Sequence, residues 1–296
     1  MDKARYRRIS FFFARIIASL FFWELILPRI GFRRAVNRTR SARLTKIARA
    51  YHDLAVQLGG VLIKVGQFLS ARMDVLPGEI TDELAGLQDE VPAEDPYKIR
   101  RLAEDELGAP LDERFAHFET TPLAAASLGQ VHRAQLKPED AEEFGVEVVV
   151  KVQRPDIETI IATDLSALNW AGRVVMRYKP IQKRVDVPSL LAEFTSVLYE
   201  EIDYLAEGRN AETFAHNFAD VKGVRVPAVV WSHTTKRVLT LEDVYAIKIS
   251  DHAEIDQAGV DRGEVAVRLF DTYMRQIFED GFFHADPHPG NLFVDP

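Results

Sequence analysis

Residues 284–291 read HADPHPGN, and this short stretch decides how the rest of the chain is interpreted. Pro287 and Pro289 stiffen its backbone, which predicts a loop and excludes a helix. Phosphoryl transfer needs a carboxylate near the nucleophile and an oxygen ligand for a metal that bridges the phosphates. The polar side chains that this loop offers for such chemistry are His284, Asp286, His288 and Asn291.

The spacing of Asp286 and Asn291 is the one seen in kinase catalytic loops, where an Asn follows the Asp by five residues. Two other interpretations stay open. The pattern H-x-D-x-H is also compatible with a metal site for hydrolysis, although the chain upstream supplies no matching cluster of His and Asp. The structural alternative is a rigid, proline-rich turn that carries no chemistry.

A lysine and an acidic helix precede this loop. Lys151 ends the apolar run VEVVVK, and a lysine at the end of a central strand can point into a cleft and pair with phosphates. In the later stretch YEEIDYLAEGRNAETF, Asp203 and Glu207 are spaced i,i+4 and share a helix face, whereas Glu201 points elsewhere. Taken singly, a lysine at a strand edge or an acid on a helix is more often a solvated surface charge, and this alternative stays open here.

Small residues precede the strand of Lys151, in the stretch LAAASLGQVHRA. Protein kinases place a glycine-rich loop there, because its backbone amides can approach phosphates. Here methyl groups crowd the backbone and narrow its range of φ and ψ, and Gly129 is the single glycine. The small residues of this loop are Ala124, Ala125, Ala126 and Ser127.

A fourth motif, KVGQ, lies further upstream. It places Lys64 and Gln67 at i,i+3 on one face of a predicted helix. Gly66 between them would weaken a helix by about 1 kcal/mol relative to Ala, so we expect it to allow close packing. By itself the motif indicates no function.

The four motifs together resemble the ABC1/UbiB family of atypical kinases. KVGQ, AAASLGQV with VVVKVQ, EIDYLAEGRN and HADPHPGNLF occur in that family's order, and the resemblance covers roughly residues 40 to 296. HxDxHPGN alone also resembles small-molecule kinases of the aminoglycoside-phosphotransferase type. The alanine-rich loop favours the ABC1/UbiB family over those enzymes.

The resemblance implies a role for each motif. Lys151 holds the phosphates of ATP or ADP, with Glu207 as its ion-pair partner, and Asn291 binds Mg²⁺. Lys64 and Gln67 face the nucleotide site from a block that restricts access by protein substrates. The implied catalytic set is Asp286, Lys64 and Gln67.

The implied nucleotide contacts extend over three more segments. These are the alanine-rich loop, the E-x-D pair, and a hinge in LTLEDVYAIKI whose backbone from Glu242 to Val244 would contact adenine. The cofactor-binding set is therefore Ala124, Ala125, Ala126, Ser127, Lys151, Glu201, Asp203, Glu207, Glu242 and Val244.

The order of elements predicts an α+β, protein-kinase-like fold, with a small β lobe, an N-terminal helical extension and a partial helical large lobe. Helices are expected over 79–91, 95–107, 156–177, 187–217 and 262–280, and strands at VHRAQL, VEVVVKVQ, VRVPAVVWS and RVLTLEDV, with PEDAEEFG as a polar hairpin loop. The predicted domains are a basic apolar arm at 1–40, the helical KxGQ extension at 41–110, the kinase-like N-lobe at 111–245, and the start of the C-lobe at 246–296.

Charge is distributed unevenly along the 296 residues. Residues 1–50 carry thirteen Lys and Arg against two acidic residues, a net +11, so the rest of the chain carries −19. The run from Phe11 to Leu27 is nearly all apolar, is flanked by arginines and contains Trp23, which suits a helix lying among lipid headgroups. It is short of the roughly 20 clean apolar residues that span a bilayer. A buried helix on the kinase body is the alternative.

These features predict a membrane lipid surface as partner and a peripheral position on the cytoplasmic face of a membrane. An acidic body argues against nucleic acid. The chain has no cysteine, which excludes disulfides, thiolate zinc sites and cysteine nucleophiles. The family resemblance implies an isoprenoid- or quinone-pathway small molecule as a further partner.

The kinase pattern breaks at the end of the sequence. A second metal-binding aspartate normally follows the catalytic-loop Asn by a dozen or so residues, but only LFVDP follows Asn291. We expect a fragment of a longer protein, with a natural truncation as the alternative. The predicted function is an ATP-dependent phosphotransferase or ATPase that supports isoprenoid-quinone or other lipid metabolism. The alternatives are a non-catalytic nucleotide-binding pseudokinase and a small-molecule phosphotransferase.

Overall fold

The computed structural model describes residues 1–70, 76–87, 91–183, 185–285 and 289–296. Its α-helices are α1 (Lys3–Phe21), α2 (Leu27–Arg29), α3 (Arg33–Leu58), α4 (Val61–Ser70), α5 (Gly78–Leu84), α6 (Pro96–Leu107), α7 (Leu111–Arg114), α8 (Pro138–Phe144), α9 (Ile157–Val175), α10 (Lys179–Gln182), α11 (Val187–Glu201), α12 (Tyr204–Asn217), α13 (His252–Gln257) and α14 (Arg262–Arg275). Wider π-type turns continue α1 over Phe22–Ile26 and α14 over Gln276–Asp280.

The strands form two antiparallel sheets. The larger has the order β1-β3-β4-β5, with β2 pairing to another part of β3, and the smaller joins β6 to β7. The structure thus combines helices with antiparallel sheets, and the α+β prediction is confirmed. The strands are β1 (Phe115–Phe118), β2 (Ala124–Ala125), β3 (Gly129–Leu136), β4 (Glu147–Gln153), β5 (Val238–Glu242), β6 (Ile247–Lys248) and β7 (Phe293–Val294).

One face of the larger sheet packs against α6. Val148, Val150 and Val152 alternate along β4 and are fully buried in a cluster with the apolar side of that helix. The sequence sets both ends of α6: the Asp95 carboxylate accepts the Tyr97 N–H at its start, and left-handed Gly108 ends it. The alternation leaves the odd-numbered residues of β4 on the opposite face of the sheet.

The N-terminal helices pack into a second apolar cluster. Helices α1, α3, α4, α9 and α11 contribute to it, and Ile9 of α1 is completely buried there. Next to Ile9, the Arg5 guanidinium binds the buried Asp164 carboxylate of α9 through two 2.6 Å hydrogen bonds. The first turns of the arm are therefore part of the folded body, as the alternative of a packed helix required.

The single long helix predicted over 187–217 is wrong, because the chain forms α11 and α12 with a break between them. The Asp203 carboxylate accepts the Ala206 N–H and caps α12, while the Tyr204 N–H donates to the carbonyl of Lys236 on another segment. Both contacts replace intrahelical hydrogen bonds, so the helical ladder cannot continue through this point.

Three local predictions also differ from the structure. PEDAEEFG is not a loop but forms α8, because Pro138 opens it and acidic residues in its first turn favour a helix N-terminus. VRVPAVVWS keeps only an isolated bridge at Val229, since Pro227 cannot donate to a ladder. The helix expected over 79–91 ends at Leu84, and residues 91–95 belong to no helix or strand.

Candidate active site

Strand β4 presents Lys151 on the sheet face away from α6. Lys151 lies opposite Val131 of β3, and Val131 lies opposite Ala124 of β2. Residues directly opposite one another on neighbouring strands project from the same face. The lysine and the alanine-rich loop therefore lie in one row across three strands, which is the placement that joint contact with a phosphate chain needs.

The ion pair expected from the sequence is present in the structure. The Lys151 ammonium is 2.7 Å and 2.9 Å from the two carboxylate oxygens of Glu207, one turn into α12. It also lies 4.7 Å from the centre of the Tyr204 ring, in a cation–π arrangement. Both charged side chains stay partly open to solvent, so a ligand can reach the ammonium.

Tyr204 is the site residue that sequence reasoning missed, although it stands inside the quoted motif EIDYLAEGRN. Its side chain is buried, and burial, with smaller contributions from the Glu207 and Glu201 carboxylates, raises the pKa of its phenol well above the ordinary value. A Cβ added to Gly129 would lie 2.5 Å from the Tyr204 hydroxyl oxygen and 2.8 Å from the Val152 carbonyl oxygen. The loop's one glycine is thus required by this close approach.

The KVGQ motif lies on α4, where its lysine reaches towards the helix pair of the site. The Lys64 ammonium is 2.5 Å from a carboxylate oxygen of Glu201, the last residue of α11. Gln67 donates from its amide to the Leu87 carbonyl at 3.3 Å. A Cβ on Gly66 would lie 2.2 Å from the Leu87 side chain, which agrees with its predicted role in close packing.

The two acids of the E-x-D pair make different contacts. Glu201 joins α11 to the KVGQ helix through Lys64, whereas Asp203 caps α12 and so fixes where that helix begins. Because Glu207 follows the cap by four residues, the cap also fixes the height at which Glu207 meets Lys151. The structure thus pairs Lys64 with Glu201 between α4 and α11, and Lys151 with Glu207 between β4 and α12.

The proposed hinge follows β5. The N–H groups of Glu242 and Asp243 donate to the carbonyls of Ala228 and Glu147, so neither is available to adenine. The Glu242 carboxylate binds Arg225. Among the three hinge residues, this leaves the N–H of Val244, just before left-handed Tyr245, as the donor that can be offered to a base.

The HADPHPGN loop is described only in part. Asp286, Pro287 and His288 lie outside the described residues. The His284 N–H donates to the Gln276 side chain at 2.9 Å, and Asn291 ends a short 3₁₀ turn that leads into β7. Because β7 pairs with β6, directly after the hinge, the end of this loop returns beside the hinge segment.

A magnesium site can be tested only in part. Asn291 offers an amide oxygen, a ligand type that suits Mg²⁺. Within the described ranges, no three His, Asp or Glu side chains cluster so as to hold a metal. Asp286 and His288 of the H-x-D-x-H pattern lie outside those ranges, so the hydrolytic alternative keeps its standing as a prediction. Asn291 alone does not form a complete metal site.

Comparison with known proteins identifies several relatives. The chain is 43% identical over 251 residues to the chloroplastic protein ACTIVITY OF BC1 COMPLEX KINASE 8 of Arabidopsis thaliana, covering 84% of this chain and 32% of that one. It is 43% identical over 243 residues to the probable protein kinase UbiB of Xanthomonas campestris, covering 82% and 43%. The chain thus spans about a third to a half of the length of the curated relatives it matches.

A solved structure and a family profile agree with these relatives. The structure of Rv3197 of Mycobacterium tuberculosis, a complex with erythromycin, aligns with a TM-score of 0.55 at 28% identity, covering 88% of this chain and 64% of that one. The profile described as the ABC1 atypical kinase-like domain matches residues 86–296. The recognition made from the four motifs is confirmed, and the chain belongs to the ABC1 atypical kinase-like family.

Proposed function

We propose that this chain binds ATP with Mg²⁺ on the Lys151 face of the sheet and acts as an ATP-dependent phosphotransferase or ATPase. The observation that carries the proposal is the double contact between the Lys151 ammonium and the Glu207 carboxylate. A lysine fixed by an acidic helix residue, with a backbone loop in the same row of the sheet, is an arrangement that recognises a chain of phosphates.

Each residue has a distinct task in this proposal. Lys151 supplies a positive charge to phosphate oxygens, and Glu207 fixes its direction. Val244 offers a backbone donor to adenine, and Asp286 is the candidate carboxylate for the nucleophile. A bound Mg²⁺ would neutralise phosphate charge, with Asn291 supplying one oxygen.

The KVGQ helix supports a restriction on protein substrates. The Lys64–Glu201 contact ties α4 to the end of α11, two residues before the cap of the helix that holds Glu207. A helix fixed this close to the nucleotide site leaves less room for a folded protein. We therefore propose a small molecule as the acceptor, in isoprenoid-quinone or other lipid metabolism as the family resemblance implies.

The N-terminal arm supports a membrane surface as partner. The helical segment Lys3–Arg29 is long and apolar enough to cross a membrane, and only 6% of its most apolar window is buried. Its sequence neighbours include the basic residues Arg33, Arg34 and Arg38, which suit anionic headgroups. Large apolar side chains are exposed at Phe11, Phe21, Phe22, Ile26, Ile30 and Phe32.

Both ends of this helical segment are tied to the body, which favours a position in the membrane plane over a crossing. Arg5 binds Asp164 at one end. At the other, Arg43 of α3 binds Glu24 at 2.9 Å and lies 4.4 Å from the centre of the Trp23 ring. A crossing would have to break one of these ties and carry Glu24 into hydrocarbon, which is unfavourable.

Liposome flotation tests the membrane role. We expect the chain to float with vesicles that contain anionic lipid, and to float less without residues 1–35 or at high salt, because salt screens the basic residues. Equal flotation of the intact and shortened chains would refute the membrane role. Protease added outside the vesicles distinguishes the two positions. Cleavage at only one end of the segment Lys3–Arg29 would show a crossing instead of an in-plane helix.

Direct binding of ATP tests the nucleotide site. Lys151→Ala should weaken ATP binding about ten- to a hundredfold, since charge-assisted hydrogen bonds contribute about 1.5–3 kcal/mol. Lys236→Ala, which removes an exposed lysine from the same lobe, is the matched control and should change nothing. Unchanged ATP affinity in Lys151→Ala would contradict the proposed site.

Turnover separates an enzyme from a nucleotide sensor. If ATP binds, but neither this chain nor a version extended to a natural C-terminus transfers phosphate to water or to a lipid acceptor, and Asp286→Asn changes nothing, the pseudokinase alternative holds. Phosphorylation of an aminoglycoside-like small molecule would instead favour the small-molecule phosphotransferase.

A further inference from the structure

The irregular segment 91–95, which we call the strap, lies against the alanine-rich loop. The Val91 N–H donates to the Ala125 carbonyl at 3.2 Å. Three residues later, the Glu94 N–H donates to the side-chain oxygen of Gln130 at 2.9 Å. The strap therefore contacts both the loop and Gln130 of β3. Its two N–H groups make these hydrogen bonds outside any helix or sheet.

Arg154 joins the strap to the loop. Its Nε donates to the Ala126 carbonyl at 3.0 Å and one terminal nitrogen donates to the Pro92 carbonyl at 2.8 Å. The other terminal nitrogen binds the Glu94 carboxylate. The Arg154 N–H also donates to the Leu128 carbonyl, and its side chain is only 13% exposed. One guanidinium thus holds two strap residues and one loop residue at the same time.

We propose that Arg154 is a positioning residue that holds the alanine-rich loop in the conformation that receives the nucleotide phosphates. The proposal rests on the ATP-binding function proposed above. Arg154 follows Lys151 by three residues and comes directly after β4, so the group that fixes the loop stands at the end of the strand that presents the lysine. The planar guanidinium directs its donors along three fixed directions, which a lysine ammonium on a flexible stem cannot reproduce.

A buried polar chain behind the strap supports this arrangement. The Gln130 side chain is 1% exposed, and its oxygen receives the Glu94 N–H while its nitrogen lies 2.9 Å from Nε2 of His132. Nδ1 of His132 lies 2.8 Å from the Glu119 carbonyl. Burial lowers the pKa of His132, so its neutral ring donates to Glu119 and accepts from Gln130. Each hydrogen bond in this series from Glu94 to Glu119 therefore has a defined donor and a defined acceptor.

The strap also connects two parts of the molecule. It directly precedes α6, which packs under the sheet, and it follows the helical block that carries KVGQ. A shift of the strap would therefore displace the Ala125 and Ala126 carbonyls, because Val91 contacts the first directly and Arg154 links the strap to the second. Arg154 makes the position of the loop depend on the position of this connection.

Hydrogen exchange and ligand binding together test the proposal. Arg154→Ala and Arg154→Lys should each raise amide exchange about tenfold in peptides that cover 91–95, and each should weaken ATP binding about tenfold. Adenosine binding should stay unchanged, because adenosine has no phosphates for the loop to approach. The control is Arg100→Ala. Arg100 is also an ion-paired arginine, but it lies on α6 and does not contact the loop, so this variant should alter none of these readouts.

Glu94→Gln gives a second variant of the same contact that leaves the strap backbone unaltered. It should change exchange and ATP affinity in the same direction and by a smaller factor. Faster exchange with unchanged ATP affinity would overturn the positioning role, and so would an equal loss of ATP and adenosine binding. Absence of ATP binding by the unaltered chain would overturn the proposed function, whereas the exchange comparison would still decide whether Arg154 holds the strap.

Discussion

The buried ion pair between Arg5 and Asp164 gives the sharpest stability prediction. Arg5→Met removes both 2.6 Å contacts to a carboxylate that is completely buried. It also removes the donors to the carbonyls of Leu58 and Gly59, at 2.8 Å and 3.1 Å, where α3 ends. Breaking one side of a buried pair costs about 3–5 kcal/mol. Arg5 keeps slight exposure, so we expect a loss of about 3 kcal/mol of unfolding free energy at pH 7.5.

The pH dependence of this loss has a definite sign. Burial raises the pKa of Asp164, and Arg5 opposes that rise. Without Arg5, the folded-state pKa rises further above the unfolded value. The folded protein then binds a proton more readily than the unfolded chain, so its stability increases as pH falls through the folded-state pKa. The increase is at most about 1.4 kcal/mol per pH unit, and it ends near the unfolded value of about 4.

Urea unfolding at pH 7.5 and pH 5.0 measures this effect. The deficit of Arg5→Met relative to the native chain should shrink at pH 5.0. The Asp164→Asn deficit should change less, because that variant has removed the titrating carboxyl. Arg7→Met, an exposed arginine on the same helix, is the control. A deficit below about 1 kcal/mol, or one equal at both pH values, would show that the pair does not hold the arm.

Three further predictions concern the candidate active site and its surroundings. Glu207→Gln should lower ATP affinity several-fold, measured by titration calorimetry, because a neutral amide no longer fixes the lysine it holds at 2.7 Å; unchanged affinity would contradict this. Lys64→Ala should reduce stability by no more than about 1 kcal/mol, since Glu201 is partly exposed, yet raise hydrogen exchange in α4; unaltered exchange would show that the contact does not hold that helix. Gly129→Ala should cost about 1–3 kcal/mol in urea unfolding because its Cβ would lie 2.5 Å from a buried phenol oxygen, whereas Gly78→Ala, with open space around it, should be nearly neutral.

The elements that sequence reasoning anticipated are those whose signal is local. The apolar run VEVVVK placed Lys151 on the correct strand. Pro96 and Gly108 mark the ends of α6 in the sequence itself. In both cases the residues that determine the structure lie within one strand or one helix, so a single segment carries the whole signal. The pairing of Lys151 with Glu207 joins β4 to α12 and was predicted from the family resemblance of EIDYLAEGRN, not from a local pattern.

The predictions failed where contacts from elsewhere in the fold overrode a local pattern, or where a local helix signal was not used. The sequence from 187 to 217 has helical periodicity throughout, but a capping carboxylate at Asp203 and a backbone contact to Lys236 divide it. For α8 the signal was available, since Pro138 and two acids form a good helix start. The site residue Tyr204 was overlooked because the family resemblance assigned roles to the acids of EIDYLAEGRN and none to the tyrosine, whose contact to Lys151 no local pattern indicates.

The contacts that fix the alanine-rich loop show why the position of such a loop cannot be predicted from its own residues. The helical cluster and the sheet cluster are packed separately, and Leu128 of the loop belongs to the helical one, whereas Ala134 on the same hairpin belongs to the sheet. Polar contacts join the two at this point, through Arg154 and Glu94, which are 60 residues apart. The loop therefore lies where the helical cluster meets the sheet cluster, and its position is fixed by Arg154 and Glu94, which are distant from it in the sequence.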